Sequence, residues 1–141
     1  YPEPTVERDV IRNLGAQDAS ERIEPILDAA QIAEFQKLTA SIEGAEPVLT
    51  YLQNLVGETR ESAYLSLGVS TRGAISFYRA CQARAVLQGR AYILPDDVKA
   101  LFVAVCGHRV MVKNSHDGPA ERRIEAENVL REILDTTQVP L

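Results

Sequence analysis

The chain has 141 residues, a formal net charge of −5 at pH 7 and a pI near 5.1. Apolar residues make up 45% and charged residues 25%, which is typical of a globular protein rather than of a disordered or membrane-spanning one. The acidic balance argues against nucleic acid as a partner, because binding to a phosphate backbone requires a basic face. Two cysteines make no disulfide framework, so we expect a reducing, cytoplasmic compartment.

The hydrophobic pattern predicts an all-α helical bundle of about six helices, with room for one short extended segment. The first helix is short, ends at Gly15 and carries the apolar residues Val6, Val10, Ile11 and Leu14. Pro25 breaks any helical run before the second helix. That helix begins after Asp28, which with Gln31 can form a reciprocal N-terminal cap. Its predicted buried stripe consists of Ile32, Phe35, Leu38 and Ile42.

The third and fourth helices have recognisable starts. Pro47 fits the first turn of the third helix, which is predicted to run to about Glu61. Ser70 is a good N-cap for the fourth helix, which Gly89 ends. The fourth helix is apolar on nearly every side, and we therefore expect it at the centre of the domain. Its predicted core residues include Ile75 and Tyr78.

The fifth helix is marked by Pro95 at its first position and by Asp96 and Asp97, whose charges suit the positive end of the helix dipole. Residues 110–112 are β-prone and could form a single extended segment, from which we infer no sheet. A last helix is predicted over about residues 120–134.

The sequence lacks the residue patterns needed for nucleotide phosphate binding, zinc binding and nucleophilic catalysis. No lysine follows a glycine, so the phosphate-cradling loop of an NTPase is absent from this sequence. Cys106, His108 and His116 do not have the spacing of a zinc site. Ser70 and Cys81 are candidate nucleophiles without a paired base, which disfavours a small hydrolase.

Arg72 is the one anomalous residue. It falls in the first turn after Ser70, where a cation opposes the helix dipole. Such a position suits an anion-binding group, since free amides and a guanidinium can reach the same phosphate. The alternative is that Arg72 pairs with a nearby acid or extends into water.

Four segments resemble one family in the right order along nearly the whole chain. They are Leu67-Gly68-Val69-Ser70-Thr71-Arg72-Gly73-Ala74, Gly89-Arg90-Ala91-Tyr92-Ile93-Leu94-Pro95-Asp96-Asp97-Val98, His108-Arg109-Val110 and Val129-Leu130-Arg131-Glu132-Ile133-Leu134. Together they resemble the C-terminal lid of MoxR-type AAA+ ATPases. The resemblance implies a single lid domain over residues 1–141. Residues 1–27 would be the linker and first helix leaving an absent ATPase core, and residues 28–141 the lid bundle.

The resemblance also implies site residues. Arg72 matches the sensor 2 arginine, which reaches the γ-phosphate of ATP bound on the core, and Ser70 and Thr71 would lie near the nucleotide at the same helix end. The chain departs from the family pattern at Thr71, where proline is usual, at Gly73, where alanine is usual, and at Leu94, where a capping threonine is common. We expect Gly73 to loosen the turn. Arg79 and Arg109 are expected to be mainly structural. Arg79 lies seven residues beyond Arg72 on the same helical face, so it could also line the nucleotide cleft.

The function implied by the resemblance is a lid that closes over ATP and magnesium held by the parent protein. It would couple ATP hydrolysis to chaperone-like remodelling or maturation of partner proteins. The fragment itself is expected to be no enzyme and to hold no cofactor. Its implied partners are the ATPase core, neighbouring subunits of a ring and a protein with a von Willebrand factor A domain. The alternative is a stand-alone helical adaptor that binds a protein through an apolar groove.

Overall fold

The computed structural model describes residues 1–13, 23–113 and 118–139. The chain divides into two compact units, Tyr1–Glu34 and Phe35–Leu141. The described residues form six α-helices and one two-stranded sheet: α1 (Pro4–Asn13), α2 (Ala29–Ser41), α3 (Glu46–Glu61), β1 (Leu65–Leu67), α4 (Thr71–Leu87), α5 (Pro95–Cys106), β2 (Met111–Val112) and α6 (Pro119–Thr136). A short 3₁₀ turn, Gly107–Arg109, lies between α5 and β2. The predicted all-α bundle is confirmed.

The first unit contains α1 and the beginning of α2. Val6, Val10 and Ile11 of α1 are at least half exposed. The predicted last apolar residue of this helix, Leu14, and its stop, Gly15, lie outside the described residues. The assignment of residues 1–27 to a linker and first helix therefore stays a prediction.

The cap of α2 is confirmed, but its buried stripe is not. The Asp28 amide donates to Gln31 Oε1 at 2.9 Å, and the Gln31 amide donates to Asp28 Oδ1 at 2.8 Å. Of the predicted stripe only Ile42 is buried, since the other three residues are about half exposed: Ile32, Phe35 and Leu38. Helical periodicity shows on which side apolar residues gather, but not whether another element covers that side.

The core of the second unit is built from four helices. Phe77 of α4 and Phe102 of α5 lie at its centre, both fully buried, with ring centroids 5.7 Å apart. The four helices are α3, α4, α5 and α6. Their other buried core residues are Val48, Tyr51, Leu52, Leu55, Val56, Cys81, Ala85, Val98, Cys106, Ala126, Val129, Leu130 and Ile133. The expected central place of α4 is confirmed by this packing.

The loop between α2 and α3 is tied to α4 by two side chains. Gln82 Nε2 donates to the carbonyl of Ile42 at 2.7 Å, and the Gly44 amide donates to the hydroxyl of Tyr78 at 3.1 Å. Tyr78 is partly buried and packs against the core, so its predicted place in the core is met only in part. Ile75 is 50% exposed, so its assignment to the core is wrong. It lies two residues from Phe77, about 200° around the helix, and therefore on the opposite side.

Ile75→Ala should consequently have a small effect on stability. We expect the free energy of unfolding to fall by about 1 kcal/mol or less, because the side chain is already half in water. Urea denaturation followed by circular dichroism measures this. Ile42→Ala, the same change at a residue that is 4% exposed, is the control and should cost at least about 2 kcal/mol. Equal losses in the two variants would contradict the placement of Ile75.

A two-stranded sheet is the part of the fold that the sequence did not predict. β1 and β2 are antiparallel, with Leu65 opposite Val112 and Leu67 opposite Met111, and the register shifts between the two pairs. The β-prone segment at residues 110–112 is thus extended, as expected, but it is paired and not single. The ladder joins the connection after α3 to the connection after α5.

Within residues 1–13, 23–113 and 118–139, no helix has the length and apolar character needed to cross a membrane.

Candidate functional site

The site centres on the beginning of α4, where the predicted N-cap is confirmed. Ser70 has an extended backbone, and its hydroxyl oxygen accepts a hydrogen bond from the Gly73 amide at 3.2 Å. Its carbonyl accepts the first helical bond, from the Ala74 amide at 2.9 Å. Ser70, Thr71 and Arg72 therefore lie together at one helix end. Ser70 has a capping role that explains its presence without any nucleophilic function.

The two residues before Ser70 are held against the last turns of α3. The Val69 amide donates to Thr59 Oγ1 at 2.9 Å, and Arg60 Nε donates to the Val69 carbonyl at 2.9 Å. A Cβ added to Gly68 would lie 2.6 Å from the Thr59 carbonyl oxygen and 2.7 Å from Arg60 Cα. The segment preceding α4 thus contacts the α3 backbone so closely that only glycine fits.

Arg72 occupies the second position of α4, and its side chain is exposed. Among the described residues it has no side-chain hydrogen bond and no ion pair, so the alternative in which it pairs with a nearby acid has no support from these contacts. Within residues 1–13, 23–113 and 118–139, no backbone carbonyl accepts a hydrogen bond from the amide of Thr71 or of Arg72. An anion at this helix end would meet free amides and a guanidinium together.

Gly73 is closely packed rather than loose. A Cβ at this position would lie 2.8 Å from Val69 Cγ1 and 3.3 Å from Arg109 Cδ. Val69 is fully buried and β-branched, so its side chain has little freedom to move away. The expected loosening of the turn by Gly73 was based on helix propensity alone and is wrong, because the residue is closely packed. Arg109 Nε donates to the Val105 carbonyl at 3.0 Å, which agrees with the structural role expected of it.

Arg72, Ile75 and Arg79 follow one another along one exposed side of α4. Their spacing of three and four residues places them on a common helical face. Arg79 has no ion pair among the residues that the structure describes. A groove of about 560 Å³ runs beside the same helix end, between α3 and α4, and is lined by Arg60, Thr71 and Ala74 among others.

The acidic pair at the start of α5 has two different roles. Asp96 is 85% exposed, as a dipole-compensating residue is expected to be. Asp97 is only 2% exposed and accepts hydrogen bonds from both terminal nitrogens of Arg90, at 2.6 and 2.8 Å. Its Oδ2 accepts from the Leu94 amide at 2.9 Å, and its Oδ1 lies 3.2 Å from Arg84 Nε. Capping alone therefore does not describe Asp97, which is the buried centre of an ion cluster whose arginines are partly exposed.

The charge state of Asp97 follows from these contacts. Burial by itself raises the pKa of the carboxyl group, because it penalises the charged form. The hydrogen bonds from Arg90 and the Leu94 amide, with the charges of Arg90 and Arg84, outweigh burial and hold the pKa below its ordinary value of 3.8. Asp97 is therefore ionised at neutral pH and joins α5 electrostatically to the end of α4.

The candidate nucleophiles and metal ligands gain no support. Burial raises the pKa of both Cys81 and Cys106 to about 12, so both thiols are protonated at neutral pH. Within the described ranges no group of three or more His, Cys, Asp or Glu side chains could hold a metal ion. His116, one of the three residues considered for zinc, lies outside those ranges.

Sequence reasoning missed two residues of this site, Thr59 and Arg60, and gave no reason for the glycine at position 68. Thr59 and Arg60 have no signal of their own, because a threonine and an arginine near a helix end are ordinary surface residues. Their role arises only when the segment at residues 68–69 folds back onto α3.

Comparisons with known proteins agree with the fold. Residues 57–133, more than half of the chain, match the AAA lid domain family. The chain is 30% identical over its full length to the uncharacterized protein YeaC of Bacillus subtilis, and 25% identical over 99% of its length to the chaperone MoxR1 of Mycobacterium tuberculosis. It also superposes over its full length on a crystal structure of a proposed ATPase from Cytophaga hutchinsonii, with a TM-score of 0.73 at 23% sequence identity.

The chain spans 43% of the length of YeaC, 38% of that of MoxR1 and 44% of the solved chain. The matched segment at residues 57–133 includes Arg72 and the whole of α4 and α5. The chain belongs to the AAA lid domain family, and it is a lid domain of the MoxR type.

Proposed function

We propose that this chain is the nucleotide-sensing lid of a larger AAA+ ATPase and that Arg72 is its sensor 2 residue. In this proposal ATP and magnesium are held by a core domain outside the chain, since the sequence has no phosphate-cradling loop. When the lid closes, the Arg72 guanidinium donates hydrogen bonds to the γ-phosphate. These bonds stabilise both the closed state and the charge that develops during phosphoryl transfer.

One observation supports this function above the others. Arg72 extends from a capped helix end, is exposed and has no hydrogen-bond or ion-pair partner among the described side chains. An arginine with a purely structural role would be expected to contact an acid or a carbonyl, as Arg90 and Arg109 do. Ser70 and Thr71 contribute to the proposed site by setting the helix end at which the phosphate would bind.

The work done by the parent ATPase is also a proposal. We infer that ATP hydrolysis drives chaperone-like remodelling or maturation of partner proteins, with neighbouring subunits arranged in a ring. The relative MoxR1, which is named a chaperone, supports this part. A protein with a von Willebrand factor A domain remains a proposed partner on the family resemblance alone.

Arg72→Ala tests the proposal in the longer protein that combines this chain with its ATPase core. We expect kcat for ATP hydrolysis to fall about ten-fold or more, because a charge-assisted hydrogen bond is lost in the transition state. Arg72→Lys should rescue only in part, since an ammonium group does not reproduce the guanidinium fork. The kcat of both variants is measured from the steady-state rate of phosphate release.

The control is Arg131→Ala, which removes an exposed cation paired with Glu127 on α6 and should leave kcat within about two-fold of wild type. Arg72→Ala should not lower the thermal unfolding midpoint of the isolated chain, because it removes a first-turn cation that opposes the helix dipole. If Arg72→Ala unfolds the chain while the folded fraction of the longer protein turns over normally, Arg72 is structural and the proposal fails.

A further inference from the structure

We propose that Thr59 and Arg60 of α3 are positioning residues for Arg72. They hold the peptide groups on either side of Val69 and so determine where the helix bearing Arg72 begins. The inference rests on the proposed sensing role of Arg72, and it adds two residues of a different helix to that role.

Thr59 provides the buried half of this attachment. Its side chain is fully buried, and Oγ1 both accepts from the Val69 amide at 2.9 Å and donates to the Val56 carbonyl at 2.6 Å. The donation to Val56, one turn earlier in α3, orients the hydroxyl so that its lone pairs are available to Val69. Because Val69 is itself fully buried, its amide has no water as a substitute acceptor.

Arg60 provides the other half. Its Nε donates to the Val69 carbonyl at 2.9 Å, so one residue of the loop is bonded through both its amide and its carbonyl. Gly68 packs on the α3 backbone at the same place, with no space for a Cβ. Two hydrogen bonds and one close backbone contact leave the loop little freedom to rotate or slide on α3.

The attachment reaches Arg72 through a very short connection. Only Ser70 and Thr71 separate Val69 from Arg72, and Ser70 is fixed by its cap to Gly73. On the far side of Arg72, Gly73 is buried, and Val69 Cγ1 is so near that an added Cβ would lie 2.8 Å from it. Arg72 is therefore flanked by two held residues, and the position of its Cα depends on the last turns of α3.

Such restraint matters for a group that acts on a reacting phosphate. A misplacement of about 1 Å in a positioning contact can cost on the order of 100-fold in rate. Arginine has a long side chain with several rotatable bonds. The direction of the guanidinium group therefore depends on how firmly the backbone at Arg72 is held. Loss of either Val69 bond is therefore expected to lower kcat and to leave KM for ATP little changed, because the phosphate cradle lies in the core.

The experiment is a double-mutant cycle on kcat of the longer protein. Thr59→Val removes the hydroxyl with little change of shape, Thr59→Ser restores it, and Arg60→Met removes the guanidinium while keeping an apolar stem. In the wild-type background we expect Thr59→Val and Arg60→Met each to lower kcat about five-fold and Thr59→Ser to stay within about two-fold of wild type. In the Arg72→Ala background the same changes should alter kcat by less than about two-fold.

The outcomes separate this inference from the proposed function. If Arg72→Ala lowers kcat but Thr59→Val and Arg60→Met do not, positioning is wrong and sensing stands. If they lower kcat by the same factor with and without Arg72, they act on the fold alone and positioning is again wrong. If Arg72→Ala leaves kcat unchanged, both proposals fail. Should Thr59→Val not fold, the exposed Arg60 decides the matter by itself.

Discussion

Gly68→Ala is expected to lower the free energy of unfolding of this chain by about 3 kcal/mol. The added Cβ would lie 2.6 to 2.7 Å from three backbone atoms of Thr59 and Arg60. Backbone cannot turn away as a side chain can, so either the end of α3 or the loop before α4 has to move. Such a movement breaks the hydrogen bonds of Val69 with Thr59 and Arg60. Urea denaturation followed by circular dichroism measures the loss.

Gly57→Ala is the matched control, because it makes the same chemical change within α3, the helix on which Gly68 packs. A Cβ at Gly57 would meet nothing within 4 Å, and alanine is a better helix former than glycine by about 1 kcal/mol. We therefore expect Gly57→Ala to raise stability while Gly68→Ala lowers it. A Gly68→Ala variant as stable as wild type would show that the loop is not in close contact with α3.

Asp97→Ala is expected to cost about 3 kcal/mol as well, for an electrostatic reason. The change removes a carboxylate that is 2% exposed and leaves Arg90 and Arg84 without their shared partner. Removing one member of a buried ion pair typically costs 3 to 5 kcal/mol. We take the lower end, because the side chains of Arg90 and Arg84 are 21% and 40% exposed and regain some hydration. The midpoint of urea denaturation at pH 7 measures this.

The contribution of the Asp97 carboxylate to stability should also depend on pH. The pKa of Asp97 is lowered in the folded chain, so its stabilising contribution is present above the ordinary value of 3.8 and is lost as the pH falls through the folded-state value. Between pH 6 and pH 3 the wild type should therefore lose more stability than Asp97→Asn does. Glu127, whose pKa is lowered mainly by its hydrogen bond from Arg123, leaves both proteins some acid sensitivity.

The control for both experiments is Asp96→Asn. Asp96 is the neighbouring residue on the same first turn but is 85% exposed, and its interaction with the helix dipole contributes only about 0.3 to 1 kcal/mol. If Asp96→Asn and Asp97→Ala destabilise the chain equally, the ion cluster around Asp97 contributes no more than an ordinary cap.

Helix starts were the most predictable part of this fold. The Asp28 and Gln31 cap, the Ser70 cap and Pro95 at the first position of α5 all lie where the sequence places them. These signals are local, since a cap bonds to amides two or three residues away. Helix α4 likewise ends just before Gly89, which has a φ of 68° that suits glycine.

Burial and strand pairing were less predictable. Ile75 lies on a helix that is apolar on nearly all sides, so its pattern gave no basis for choosing the buried face. The sheet pairs residues 65–67 with 111–112, and strands of three and two residues are too short to show a period. Both features depend on contacts between segments that are distant in the sequence.

The residues of the candidate site were also predictable only where the signal was local in the sequence. Its arginine was found because Arg72 follows a capping serine in a pattern that resembles a family motif. The roles of Thr59 and Arg60 could not be found, because each contacts Val69 only after the loop has folded back across nine or ten residues. The partners of Asp97 were missed for a similar reason, although its place in the first turn of α5 was correctly predicted.

The two buried thiols make this chain convenient for spectroscopy. Cys81 and Cys106 are the sequence's two cysteines, and both are fully buried, which raises the pKa of each thiol to about 12 and keeps it protonated at pH 7. Alkylating dyes react with thiolates, so the native cysteines should stay unlabelled in the folded protein. A cysteine introduced on the surface would then carry a single fluorophore, and the motion of the domain could be followed without first removing the natural cysteines.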